Sequence, residues 1–196
     1  MAVEHVRAAL EEAQSALEAL LNNEKTLAAV DAAAAAMAES IAQGGCVYSC
    51  GNGGSLCDAM HFAEEMTGRY RKDRRPYAAT AIADASHMAC VANDYGYEDV
   101  FSRYVEAHGR AGDVFLGIST SGTSKNVVKA AKAAKAKGMT VVVMTGREGS
   151  VLETLADIAI VAPAGAYADR VQELHIKCIH IMIELVERRL DPQNYA

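Results

Sequence analysis

The chain has 196 residues, 51% of them hydrophobic, and a formal charge of −6 at pH 7. That is enough for one well-cored domain over residues 1–196, and the acidic balance argues against a nucleic-acid or anionic-membrane surface. No apolar run approaches the roughly 20 residues of a membrane span, and no basic segment followed by an apolar core opens the chain. The five cysteines (46, 50, 57, 90 and 178) are odd in number and lack zinc-finger spacing, so they read as reduced thiols of a cytoplasmic protein.

In chain order, Val3, Val6, Leu10, Leu17 and Leu20-Leu21 form a helical stripe over 2–22. Asn22-Asn23 breaks it, and an alanine-rich helix over 25–42 ends at Gly44-Gly45, a helix-stop signal. This leading pair, residues 1–44, is surplus to a minimal α/β domain and is expected to pack on the domain or on a neighbouring subunit. From residue 46 apolar runs alternate with helical patterns. Strands are expected at 46–50, 78–83, 113–118, 140–144 and 157–161. The helices between and after them fall at 55–68, 86–92, 97–108, 124–137, 150–155 and 167–190. Continuous apolar strands separated by helices imply a five-stranded parallel sheet covered on both faces, an α/β three-layer sandwich. Sites in such sheets lie at the carboxyl ends of the strands.

Two loops follow strands with suitable chemistry. Gly51-Asn52-Gly53-Gly54 precedes Ser55, which is placed to cap a helix, so free amides and the helix dipole converge there. It matches neither a dinucleotide fingerprint nor a Walker loop. The second loop, Ser119-Thr120-Ser121-Gly122-Thr123-Ser124, offers five hydroxyls where capping needs one, and that surplus suits a phosphate monoester.

His61 and Glu65 are four apart on one helical face, a spacing shared by metal-ligand pairs and ordinary surface pairs. His180 sits within an apolar run and by itself reads as a hydrogen-bonded core histidine. His175 falls on another face of that helix and is expected to be solvated. Gln172 and His180 are eight apart, able to face one cleft. Asn93-Asp94 and Asp84 are polar candidates with turn or capping roles as the plainer account. The run Arg69–Arg75 is either a solvated loop or a contact to substrate or subunit. Pro192 ends the last helix, and the tail 191–196 is expected to be disordered or to touch a subunit.

Ser49–Ser55, Asp58–His61, Phe62–Glu65, Ala92–Asp94, Gly117–Gly122 and Arg170–Glu173 followed by His180 together resemble the phosphoheptose (sedoheptulose 7-phosphate) isomerases of the sugar-isomerase (SIS) fold, almost end to end. The resemblance implies aldose–ketose isomerisation of sedoheptulose 7-phosphate to D-glycero-D-manno-heptose 7-phosphate through an enediol, towards ADP-heptose and the lipopolysaccharide core. It implies a flavodoxin-like sandwich with an N-terminal helical extension, a homotetramer with active sites at subunit interfaces, and one zinc ion per subunit. By position His61, Glu65, Gln172 and His180 are its ligands, and Glu65 and His180 its acid–base pair. Substrate contacts fall to Asn52, Gly53, Gly54, Ser55, Glu65, Asn93, Asp94, Ser119, Thr120, Ser121, Ser124 and Gln172, with Arg69 and Asp169 as further possibilities. The rivals are an isomerase of another sugar phosphate and a non-catalytic relative resembling the DnaA initiator-associating protein. A non-catalytic relative has no need of Glu65 and His180.

Overall fold

The apolar runs pair as five parallel strands, β1 (Val47–Cys50), β2 (Ala79–Ala81), β3 (Val114–Ile118), β4 (Thr140–Thr145) and β5 (Ile158–Val161), in the order β2-β1-β3-β4-β5. The computed structural model describes residues 2–196. Val47 is in register with Ala79 on one side and Val114 on the other. Alternation along the central strands divides the interior into two cores. Val114, Leu116 and Ile118 of β3, with Val142 and Met144 of β4, face one side, while Phe115, Val141 and Val143 face the other. The sheet is thus apolar on both faces, and helices cover both.

Helices α1 (Ala2–Leu21), α2 (Glu24–Ala42), α3 (Gly54–Thr67) and α8 (Ala168–Leu190) lie on the first face. Helices α4 (Ala85–Asp94), α5 (Ser102–His108), α6 (Lys125–Ala136) and α7 (Val151–Leu155) lie on the second. Asn23 caps α2 by accepting from the Thr26 amide, and Gly44 follows its end at φ +84°. Thr26 Oγ1 donates to the Val161 carbonyl at 2.6 Å, which fastens α2 to β5. By contrast α1 buries only Leu20, and Val3, Val6, Leu10, Leu17 and Leu21 stay exposed. Among the described residues no helix is long and apolar enough to cross a membrane.

Three local expectations are corrected. Ser55 is not the cap of α3: Gly53 holds that position, and Ser55 is buried in the first turn. His175 is not solvated but wholly buried. It shares the inward stripe of α8 with Val171, Leu174, Cys178, Ile179 and Met182. Of the two expectations for the tail, disorder is overturned, because Pro192–Tyr195 forms a 3₁₀ turn in which Tyr195 bonds Glu187 and Asn194 bonds the Asp73 carbonyl.

Candidate active site

Strand order decides where a ligand fits. Chain connections leave β1 and β3 in opposite directions, so the loops following these neighbours splay apart and open a crevice at their carboxyl ends. Those are the glycine turn and the hydroxyl loop.

At the glycine turn Gly53 adopts φ +54°, which only glycine holds without strain. A Cβ on Gly54 would fall 2.7 Å from the Gln172 amide, so the missing side chain is what lets the start of α8 approach the turn. Asn52 joins the turn to the hydroxyl loop's helix. Its amide gives a bond to Asn126 Oδ1 at 3.0 Å and takes one from Asn126 Nδ2 at 2.8 Å, while Tyr97 donates to the same oxygen at 3.1 Å.

In the hydroxyl loop Ser119 Oγ lies 2.9 Å from Ser124 Oγ and 3.4 Å from Ser121 Oγ, so three hydroxyls cluster at the start of α6. Ser124 occupies the cap position of that helix, yet its hydroxyl makes no cap bond. The first-turn amides and the dipole of α6 are therefore not taken up by that side chain. A cavity of about 320 Å³ opens beside the loop, walled by Thr120, Ser121, Gly146, Arg147, Tyr167 and Val171. Arg147 is exposed and lines the same space as Thr120 and Ser121.

Helix α3 runs from the glycine turn and meets α8 at a second polar cluster. His61 Nε2 lies 3.1 Å from His180 Nε2, and Glu65 Oε2 lies 3.5 Å from the first and 3.7 Å from the second. These edges match one face of a tetrahedron whose centre is about 2.1 Å from each corner, the length of a zinc–nitrogen or zinc–oxygen bond. Glu65 Oε2 is buried with no hydrogen-bond partner. Two imidazoles and an unsatisfied carboxylate oxygen thus fit a metal ion. Burial raises the Glu65 carboxyl above its ordinary value, and His61 and His180 offset part of that. Asp58, one turn before His61, is pushed up to about 6, also by burial. Tyr70 stacks on His180 with ring centroids 5.8 Å apart and holds that ring's plane.

The structure therefore brings together His61, Glu65 and His180, and separately Ser119, Ser121 and Ser124. Gln172 lies at the glycine turn, about two turns before His180 on the same helix. Asn93 and Asp94 are bonded to each other at the exposed end of α4, Asp169 accepts from the Arg170 amide, and Arg69 is exposed. None of these four bonds to the three-residue cluster. Tyr70, Asn126, Tyr97 and Arg147 escaped sequence reasoning. Only Asn126 left a signal, being a polar residue that begins the buried stripe Asn126, Val127, Ala130, Ala131, Ala134.

The SIS domain model matches residues 10–146. A phosphoheptose isomerase from Aeromonas hydrophila is 58% identical over 95% of this chain and 97% of its own. The solved phosphoheptose isomerase from Neisseria gonorrhoeae superposes with a TM-score of 0.83 at 40% identity, covering 95% of this chain and 99% of that one. That from Francisella tularensis does so with a TM-score of 0.88 at 29% identity, covering 96% and 99%.

Proposed function

The chain belongs to the SIS-domain phosphoheptose isomerases, and from that membership we propose that it interconverts sedoheptulose 7-phosphate and D-glycero-D-manno-heptose 7-phosphate through an enediol. The observation that carries the reading is the convergence of His61, Glu65 and His180 on one point, at the far end of the helix that starts from the glycine turn.

The isomerisation moves a proton between C1 and C2 and another between their oxygens, so it needs a base at carbon and an acid at oxygen. Glu65 and His180 are the residues of suitable type. Burial makes Glu65 a better proton acceptor than an exposed carboxylate, and the Tyr70 stack keeps His180 in one orientation. The hydroxyls of Ser119, Thr120, Ser121 and Ser124, with the amides at the start of α6, receive the phosphate. Asn52, Gly53, Gly54 and Ser55 shape the sugar end, where Gln172 reaches across Gly54. A zinc ion held by His61, Glu65 and His180, with Gln172 as the candidate fourth ligand, would polarise the sugar oxygens and stabilise charge on the enediol, and a nitrogen or oxygen that ligates it would not at the same time be free to carry the proton.

The whole chain acts as one domain in this reading. The exposed apolar stripe of α1 supports a homotetramer, in which exposed Arg69, Asn93, Asp94 and Asp169 are available to complete a neighbour's site. A cytoplasmic enzyme supplying the heptose precursor of lipopolysaccharide is the setting that this activity suits. Incubating the protein with sedoheptulose 7-phosphate, with and without added zinc, and following the aldoheptose phosphate by NMR tests the reading. Turnover is expected, and its absence under both conditions overturns the assignment.

A further inference from the structure

We infer that Arg74 is a positioning residue for the isomerisation: it clamps the main chain of Glu65 to α8 and, through Glu187, to the C-terminal tail. The inference rests on the role of Glu65 proposed above and concerns a residue outside the cluster itself.

A helix leaves its last carbonyls without intrahelical amide partners. Glu65 stands in the last turn of α3, two residues before Thr67 ends it. Arg74, returning from the loop after α3, supplies donors there, beside the Tyr77 amide that also bonds the Met66 carbonyl. Its Nη2 donates to the Glu65 carbonyl at 2.6 Å, and its Nη1 to the carbonyls of Met66 and Gly68, both at 2.9 Å. A cation at a helix carboxyl end also complements the dipole. The remaining donor, Nε, bonds Glu187 Oε1 at 2.8 Å, with both side chains wholly buried. Glu187 is on α8, seven residues beyond His180 and so about two turns along the same face. Its other oxygen accepts from Tyr195 of the tail. The Tyr77 ring lies under the guanidinium at 4.1 Å, and its hydroxyl donates to Asp191.

One planar group thus fixes the backbone that carries Glu65 relative to the helix that carries His180. Lysine has three donors on one atom and cannot span three carbonyls and a carboxylate at once. A displacement of about 1 Å in a reacting group costs on the order of a hundredfold in rate, so the brace bears on turnover and not only on folding. The phosphate contacts lie on another loop, so binding is spared.

Two variants test this in the full-length protein, Arg74→Lys and Tyr195→Phe. The readouts are kcat and KM for sedoheptulose 7-phosphate, circular dichroism, and the visible absorption of the cobalt-substituted protein, which reports ligand geometry. The folded Arg74→Lys variant is expected to lose tenfold or more in kcat with KM within about twofold, and to give an altered cobalt band. Tyr195→Phe is expected to shift both in the same direction by less. Unchanged kcat and cobalt band in folded Arg74→Lys, or a raised KM at unchanged kcat, overturns the inference. If Arg74→Lys does not fold, Tyr195→Phe decides, and wild-type kcat there is the overturning result. If the parent protein binds cobalt but does not turn over, the isomerase reading fails and the cobalt band alone judges Arg74. A parent with neither property removes the site and the inference together.

Discussion

Helices α3 and α8 meet through two polar clusters of opposite character. At Arg74–Glu187 every nitrogen of the guanidinium finds an acceptor, both side chains are dry, and Tyr195 closes the second carboxylate oxygen. At His61–Glu65–His180 the histidines are partly open to solvent, and a buried oxygen of Glu65 has no hydrogen-bond partner. Buried polar groups in folded proteins are normally satisfied, so a satisfied cluster needs nothing from outside the chain. An unsatisfied one that opens on solvent calls for something from outside: an ion, a substrate oxygen, a proton. The contrast teaches where chemistry resides better than residue type does, since both clusters are made of ordinary charged side chains.

The sharpest test of that contrast is at the open cluster. Glu65→Gln keeps shape and hydrogen bonding but removes the base. We expect kcat to fall by about 10²–10⁴-fold with little change in melting temperature, and steady-state kinetics beside a melting curve reads both. A retained kcat removes Glu65 from the reaction.

At the closed cluster a loss of stability should accompany any loss of rate. Glu187→Gln leaves the Arg74 charge buried against a neutral partner, and removing one member of a buried pair costs about 3 kcal/mol or more. For a chain of this size that lowers the melting temperature by roughly 10 °C. A variant that melts like the parent would show that the carbonyls alone satisfy Arg74.

His175 is a third case, unsatisfied but dry. Neither ring nitrogen has a partner of hydrogen-bonding geometry, and burial pushes the imidazole down to about 4, which a weak interaction with the Thr145 backbone offsets only in part. The unfolded chain, with the ordinary histidine value near 6.5, takes up the proton first as pH falls. The stability owed to neutral His175 is therefore full above about pH 6.5 and is lost towards pH 4, about 3 kcal/mol in all. Asp58, raised to about 6, acts in the opposite sense, because its carboxyl is protonated earlier in the folded state. Urea unfolding of parent and His175→Leu at pH 7.5 and 4.5 isolates the histidine. The parent should lose more stability than the variant on acidification, and equal losses would show that His175 is hydrated.

Hydrophobic periodicity made the five strands and both layers legible, since a continuous apolar run between helical patterns has few alternatives. The hydroxyl loop was legible from its surplus of side chains. The two histidines of α8 were read the wrong way round from their immediate neighbours. His180 is surrounded by isoleucines in sequence yet is partly exposed, while His175 is buried. The stripe 171-174-175-178-179-182 was present in the sequence and places His175 inside, because the helical period, and not adjacency, sets the face. Arg74 could not be told from Arg69, Arg71 or Arg75, since its distinction is a partner 113 residues away. The role of Tyr195 was hidden for the same reason.

The reciprocal pair of Asn52 and Asn126 carries a consequence for how such a chain can change over generations. Each amide gives one hydrogen to the other and takes one from it, so an aspartate at either position would set two acceptors against each other. The two residues stand 74 positions apart yet form a single heritable character. A lineage that alters one must alter the other, or let the glycine turn part from the helix that begins at the hydroxyl loop.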